Sequence, residues 1–333
     1  MRVTPRRAGR LLTAALASIA LCAAAPAAAA GTTGWARPDS YTVPGDDAFP
    51  EGIARHTGTP YFYVGSTTDG TVYRGHVRSE EMSEFLPGGA DGRTTALGMK
   101  VDRFGRLIVA GGATGSVWVY STRTGELLHE FTAEHPEVFL NDVVVAPDGD
   151  VYVTDSFQPY IYRIGAEQLH GRSTRSAPLS VFADLHGTPV EYQEGFNVNG
   201  IAATPDGRYL LIADANDSAL YRVPVRGGEV VEIDLGEDVV TGDGLLLRAG
   251  TLYAVSRVDG NGAVVNVVRL RDRYTEGELL RRVTDPGLLS PSTAAFDDQG
   301  DMLVVNFQFG ATDPELPFTV SRLSRWELGS PWW

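Results

Sequence analysis

Glu51, Asn141, Asn199 and Asp243 each stand at the head of a short apolar stretch of this 333-residue chain. The four stretches begin "EGIAR", "NDVVV", "NGIAA" and "DGLLL". Two carboxylates and two carboxamides make a set of hard oxygen donors, with no His or Cys among them. Such a set selects Ca²⁺ over zinc or copper. The carboxylates neutralise the ion formally, and the amide carbonyls add ligands without excess charge. Four protein ligands leave part of a shell of about six to eight oxygens for water and substrate. A metal also gives a reason for Asn141 and Asp142, both poor strand formers, to open an apolar strand.

Residues this far apart in sequence meet only if the elements that carry them are arranged to converge. The same phrase occurs six times, the other two copies being "LGMKVDRFGRLIVAGG" from Leu97 and "STAAFDDQGDMLVVNF" from Ser292. Each copy is an apolar strand, a turn closed by Gly, and a second strand rich in Val, Leu, Ile or Tyr. The copies start 44 to 58 residues apart, a period that points to a β-propeller. Intervening segments such as "GSVWVYSTRTGELLHEFT" supply third and fourth strands, and no stretch of the mature chain shows sustained helical periodicity. The expected fold is all-β: one six-bladed propeller of four-stranded blades over residues 31–333. Tyr41-Thr42-Val43 would close the ring beside "PFTVSRLSRWEL". First strands line a propeller's axis, so Glu51, Leu97, Asn141, Asn199, Asp243 and Ser292 would form a ring there. Asp148, Asp206 and Gln299, beside turn glycines, read as turn chemistry.

The N-terminus has its own logic. Arg2, Arg6, Arg7 and Arg10 precede an apolar run, and Ala28-Ala29-Ala30 offers a small-residue cleavage site before Gly31. This layout predicts a secretory signal peptide over residues 1–30, with cleavage near Ala30 and a secreted product. Cleavage would take the formal charge from −14 to −18, because four arginines and no acids leave, and would remove the only cysteine, Cys22. Disulfide and thiol chemistry are then excluded. An acidic surface repels phosphate backbones, which argues against nucleic-acid partners. No membrane association after cleavage and a monomeric state are expected.

"FPEG" at Phe49, "LND" at Leu140, "VNG" at Val198 and "GDG" at Gly242 together resemble the calcium-binding motifs of the senescence marker protein/gluconolactonase (regucalcin-like) hydrolases. Paraoxonase and diisopropylfluorophosphatase are more distant members of that resemblance. It implies a divalent ion on the axis, most simply Ca²⁺, held by Glu51, Asn141, Asn199 and Asp243, and hydrolysis of lactones or related esters. Asp243 would be both ligand and base. Two departures stand out. Leu246 and Ala294 occupy the places where diisopropylfluorophosphatase has ligands for a second calcium, so no second ion of that kind is expected. The paraoxonase histidines have no clear counterpart, His135 being the nearest.

Specificity would come from the loops on the same side: "DGRTTALG", "HGTPVEYQEGFNVNG", "DSFQPY" and "NFQFGATDPELPF". From these, Phe157, Tyr192, Phe196 and Phe307 are the candidates for an apolar wall around a small-molecule lactone or ester. The rival class is a non-catalytic, calcium-stabilised propeller that binds a glycan or a protein partner.

Overall fold

Stretches such as "RLIVA", "VYVTD" and "MLVVN" are rich in Val, Ile, Leu or Tyr and pack on both faces. They become fully buried strands at Arg106–Ala110, Val151–Asp155 and Met302–Asn306. The computed structural model describes Met1 and residues 37–170, 176–258 and 262–329. The signal-peptide expectation falls on residues outside these. Contacts divide the chain into Met1–Ala36 and Arg37–Trp333, and all described strands belong to the second unit. The second unit is all-β and of propeller type, with one short helix, Ala166–His170, and a 3₁₀ turn at Ala90–Gly92 among the described residues.

Six strands carry the ring positions or follow directly on them: Pro50–Arg55, Met99–Val101, Leu140–Val145, Val198–Ala203, Leu245–Arg248 and Pro291–Phe296. Each packs against the next, and the last packs against the first. The apolar core follows the same plan. Six clusters each join two consecutive repeats: Ile108 and Val119 meet Val143 and Val153 in one, and Ile53 and Val64 meet Leu303 and Val320 in another. Burial of side chains this size is worth about 1.5–3 kcal/mol each, so the core lies in the junctions between repeats.

The sheets depart from six separate four-stranded units. Three have four strands, one has five and one has eight. Ser40–Thr42 pairs antiparallel with Thr319–Leu323, Tyr41 lying opposite Val320. It also touches Ser79–Leu86 through a single parallel pair, Thr42 with Glu81, which fuses the first and last repeats into the eight-stranded sheet. Ser176–Pro178 adds a fifth strand beside Leu127–Thr132. In both places a spare segment satisfies the outer edge of a sheet that would otherwise be open.

Asn141 and Asp142 open an apolar strand at no ladder penalty because the ladder is interrupted there. The register shifts between Leu140 and Val143, and likewise between Pro50 and Ile53, Val198 and Ile201, and Pro291 and Ala294. Glu51, Asn141, Asn199 and Ser292 each sit in such a bulge, which re-aims a side chain that regular pleating would send elsewhere. The following residue is often glycine because the next repeat comes so close. A Cβ at Gly52 would overlap the Leu97 carbonyl oxygen, and one at Gly200 the Asp243 carbonyl oxygen.

Opposite each bulge, the second strand ends in a buried polar residue that ties down the adjoining loops. Asp155 Oδ1 accepts from the amides of Phe139, Phe157 and Gln158. Asn306 Oδ1 accepts from the Leu289 amide, and its Nδ2 donates to Gly287 O, Thr319 Oγ1 and Ser321 Oγ. Asp214 Oδ1 accepts from the Asn216 and Asp217 amides, while its Oδ2 is buried without a hydrogen-bond partner.

Burial raises the Asp214 carboxyl above its ordinary range, and the two amide donors only partly oppose this. A raised carboxyl favours the folded state below the ordinary carboxylate pKa, and that contribution is lost as pH rises through the folded value. Asp214→Asn, which keeps the acceptor and removes the charge, should therefore melt higher than the parent at pH 7. The gap should close as pH falls below the ordinary carboxylate range. Melting curves across pH check this, and an equal or lower melting temperature at pH 7 would contradict it.

Candidate functional site

Glu51, Asn141, Asn199 and Asp243 all line one cavity of about 540 Å³. Glu51 and Asn141 are buried, and Asn199 and Asp243 are half-buried. Leu97 shares the lining, whereas Ser292 turns its hydroxyl to the Glu51 carbonyl oxygen at 2.7 Å. The sixth ring position therefore secures the backbone of the first instead of facing the cavity.

A hydrogen-bond relay fixes which way each amide faces. Ser156 Oγ donates to the Val198 carbonyl at 2.7 Å, so toward Asn141 it acts as acceptor, and Asn141 Nδ2 donates to it at 2.8 Å. Asn199 Nδ2 donates to Asp243 Oδ1 at 2.8 Å. Both NH₂ groups are committed to protein acceptors, which leaves the carbonyl oxygen as each amide's other arm. The backbone is held from the neighbouring repeat as well: Gly98 N–H donates to Asn141 O at 2.9 Å, and Thr154 Oγ1 to Asn199 O at 2.7 Å.

This donor chemistry fits a hard divalent cation: two carboxylates and two amide carbonyls around one space, with Ser156 and Asp243 holding the two amide NH₂ groups. Among the described residues no group of three or more His, Cys, Asp or Glu side chains is placed to hold a metal. Ala294 and Leu246 belong to one apolar cluster. His135 is exposed and stacks on Tyr160, with ring centroids 4.5 Å apart, and does not line the cavity.

The aromatic candidates divide. Phe196 and Phe307 line the cavity; Phe157 and Tyr192 do not. Phe157 is exposed and packs beside the wall, 5.1 Å from Phe139 and 5.2 Å from Phe196 between centroids. Tyr192 packs against the apolar cluster between the third and fourth repeats and donates its hydroxyl to Asp155 O at 2.6 Å. Its burial pushes the phenol well above the ordinary tyrosine range, so it acts as a fixed donor.

Phe49, Phe139 and Phe309 also line the cavity and were not singled out from sequence. Two of them carry a readable signal: Phe49 and Phe139 precede Glu51 and Asn141 by two residues, the same place in two copies of the repeat. Phe309 carries none, because its loop is braced by a pairing across seven residues, Gln308 with the Glu315 backbone. Phe49 itself has φ 37, unusual for a bulky residue, and its carbonyl is held by Thr67 Oγ1 at 2.9 Å. Thr67, Thr68 and Thr95 form the polar remainder of the wall. Behind Thr95, buried Arg93 donates to Gly70 O, Pro87 O and the Tyr120 hydroxyl, anchoring that loop.

The model of the SMP-30/gluconolactonase/LRE-like region matches residues 49–307. Among solved structures, a calcium-binding regucalcin from Agrobacterium tumefaciens is similar at 16% identity and TM-score 0.60, over 86% of this chain and 93% of that one. A gluconolactonase from Xanthomonas campestris is similar at 18% identity and TM-score 0.56, over 80% and 84%. The WD40 β-propeller domain of Doa1 is similar at 14% identity and TM-score 0.55, over 83% and 79%. No curated protein matches. At these identities the structural likeness establishes the fold.

The loop that carries Phe196 depends on Asn197, whose Nδ2 donates to Ser156 O, Gln193 O and Gly195 O while its Oδ1 accepts from Gln193 N and Asn216 Nδ2. Asn197→Ala should destabilise the protein by about 2–4 kcal/mol, since each buried group left unpaired costs roughly 1–3 kcal/mol. Limited proteolysis should cut first within residues 186–197. Parent-like melting and cleavage would show that the loop is held by other means.

Proposed function

The chain belongs to the SMP-30/gluconolactonase/LRE-like family, and we propose that it is an exported, six-bladed, calcium-dependent hydrolase of lactones or related esters. One observation carries the proposal: four oxygen-donor side chains from four repeats line a single cavity, with both amides turned so that their NH₂ groups face protein. Glu51, Asn141, Asn199 and Asp243 would hold the ion. When bound, Ca²⁺ would supply Lewis-acid polarisation of the substrate carbonyl and charge stabilisation as the oxyanion develops.

The chain's own residues do the rest. Asp243 accepts the proton of the attacking water as its oxygen bonds to the carbonyl carbon. The acyl C–O bond then breaks, and the proton passes to the departing alkoxide, giving a hydroxy acid from a lactone. Asn199 holds Asp243 through the 2.8 Å hydrogen bond and so keeps one carboxylate oxygen in a set direction. A carboxylate engaged this way is a weak base, suited to an activated acyl group such as a lactone and not to a stable amide. Glu51 is chiefly a ligand.

Lactone or aryl-ester turnover should be lost with a chelator and restored by Ca²⁺. At calcium concentrations that fill the site, Asp243→Asn should lose about 10²–10⁴-fold in turnover, the usual contribution of a general base. Full activity in the calcium-loaded variant would remove Asp243 as the base. Wild-type inactivity across a broad lactone and ester panel would favour a binding propeller.

Ser156→Ala tests the ligand orientation separately. Loss of the acceptor for Asn141 Nδ2 should weaken calcium binding by roughly 10–100-fold, as outer-shell substitutions do. Calorimetric titration reads this without any substrate, and unchanged affinity would separate Asn141 from the ion.

A further inference from the structure

The wall of the cavity is far more apolar than a sugar-binding site requires. Phe49, Phe139, Phe196, Phe307 and Phe309 all line it, and among the described residues no Lys, Arg or His does. If Glu51, Asn141, Asn199 and Asp243 serve an ion, the only remaining side chains there that can donate or accept hydrogen bonds are Thr67, Thr68 and Thr95.

The rings are held in place before any ligand arrives. Phe139 and Phe196 meet edge-to-face at 4.9 Å between centroids, Phe307 and Phe309 lie 5.2 Å apart, and Phe49 packs on buried Phe318 at 4.9 Å. Phe196 is nevertheless 39% exposed and Phe309 54%. Ordered aromatic surface left open to water around a concave site marks a place where an apolar group binds.

We propose that the occupant of this cavity carries an apolar substituent, an alkyl chain or an aryl group, next to its acyl centre, and is not a polyhydroxylated sugar lactone. The acyl centre rests on the hydrolase proposal above; the apolar substituent rests on the aromatic wall alone. A sugar lactone would bring several hydroxyls against phenyl rings, and each hydroxyl stripped of water without a partner costs about tenfold or more in affinity. Each methylene placed against the rings gains about three- to fourfold.

The test uses the calcium-loaded chain and unreactive lactams: δ-valerolactam and its 6-alkyl derivatives of increasing chain length, titrated by calorimetry. Affinity should rise about three- to fourfold per methylene and then level as the space of about 540 Å³ fills. Phe196→Ala and Phe309→Ala, both at exposed positions, should flatten the slope. Phe104→Ala, at a 55% exposed phenylalanine outside this cavity, should not. A flat slope in the parent overturns the inference, as does a gluconic lactam that binds more tightly than the alkyl series. Hydrolysis of the matching δ-lactones separates the two proposals. A steep lactam slope without turnover keeps the apolar occupant and removes the hydrolase. Turnover of glucono-δ-lactone with a flat lactam slope does the reverse.

Discussion

The backbone carbonyl of a ring residue is a hydrogen-bond acceptor for the repeat before it, and the site depends on that contact. Gly98 N–H holds Asn141 O, Thr154 Oγ1 holds Asn199 O, Gly244 N–H holds Ser292 O, and the Ser292 hydroxyl holds Glu51 O. These links run between neighbouring repeats around the axis, and the last of them joins the sixth repeat to the first. They require the inner strands to approach almost backbone to backbone. Glycine at positions 52 and 200 permits that approach, since a Cβ at either would collide with a carbonyl of the next repeat. Spacing between repeats and spacing between the donor side chains are thus one constraint.

In the third, fourth and sixth repeats the bulge and the buried polar residue opposite it act as a pair. The bulge releases two residues from the ladder, which frees the ring side chain to face the axis. Asp155, Asp214 and Asn306, at the end of the second strand, accept from amides of the adjoining loops, which have no ladder partner there. Carboxylates placed there are held under strain: burial raises both Asp155 and Asp214, and amide donors offset this only in part. Asn306 solves the same problem without a charge. The precision of the cavity therefore comes from buried polar contacts that the apolar core by itself would not supply.

The mouth follows a different rule. Its aromatic wall is assembled from loops fastened at a few points: Asn197 for the Phe196 loop, Gln308 for the Phe307–Phe309 loop, Arg93 for the Thr95 loop. Fastening of this kind lets loop residues hold open an apolar face that would otherwise collapse on itself. A preformed wall lowers the ordering cost when a ligand binds.

The repeat, the all-β class, the pairing of Tyr41 with the C-terminal strand and the four oxygen donors at equivalent positions were all legible in sequence, because strand periodicity and turn chemistry are local and the phrase is repeated. The grouping of Glu51, Asn141, Asn199 and Asp243 could be expected from it because identical units stacked in a ring bring equivalent positions to the same place. What lies outside the repeat was not legible. The fusion through Thr42 and Glu81, the added strand at Ser176–Pro178 and the withdrawal of Ser292 from the cavity all depend on which edge or carbonyl happens to lie opposite. Loop aromatics show the same limit. Phe157 and Phe196 read alike in sequence and touch each other, yet only the second lines the cavity. A loop side chain's direction is set by its fastening contacts, and those are made by residues tens of positions away in the chain.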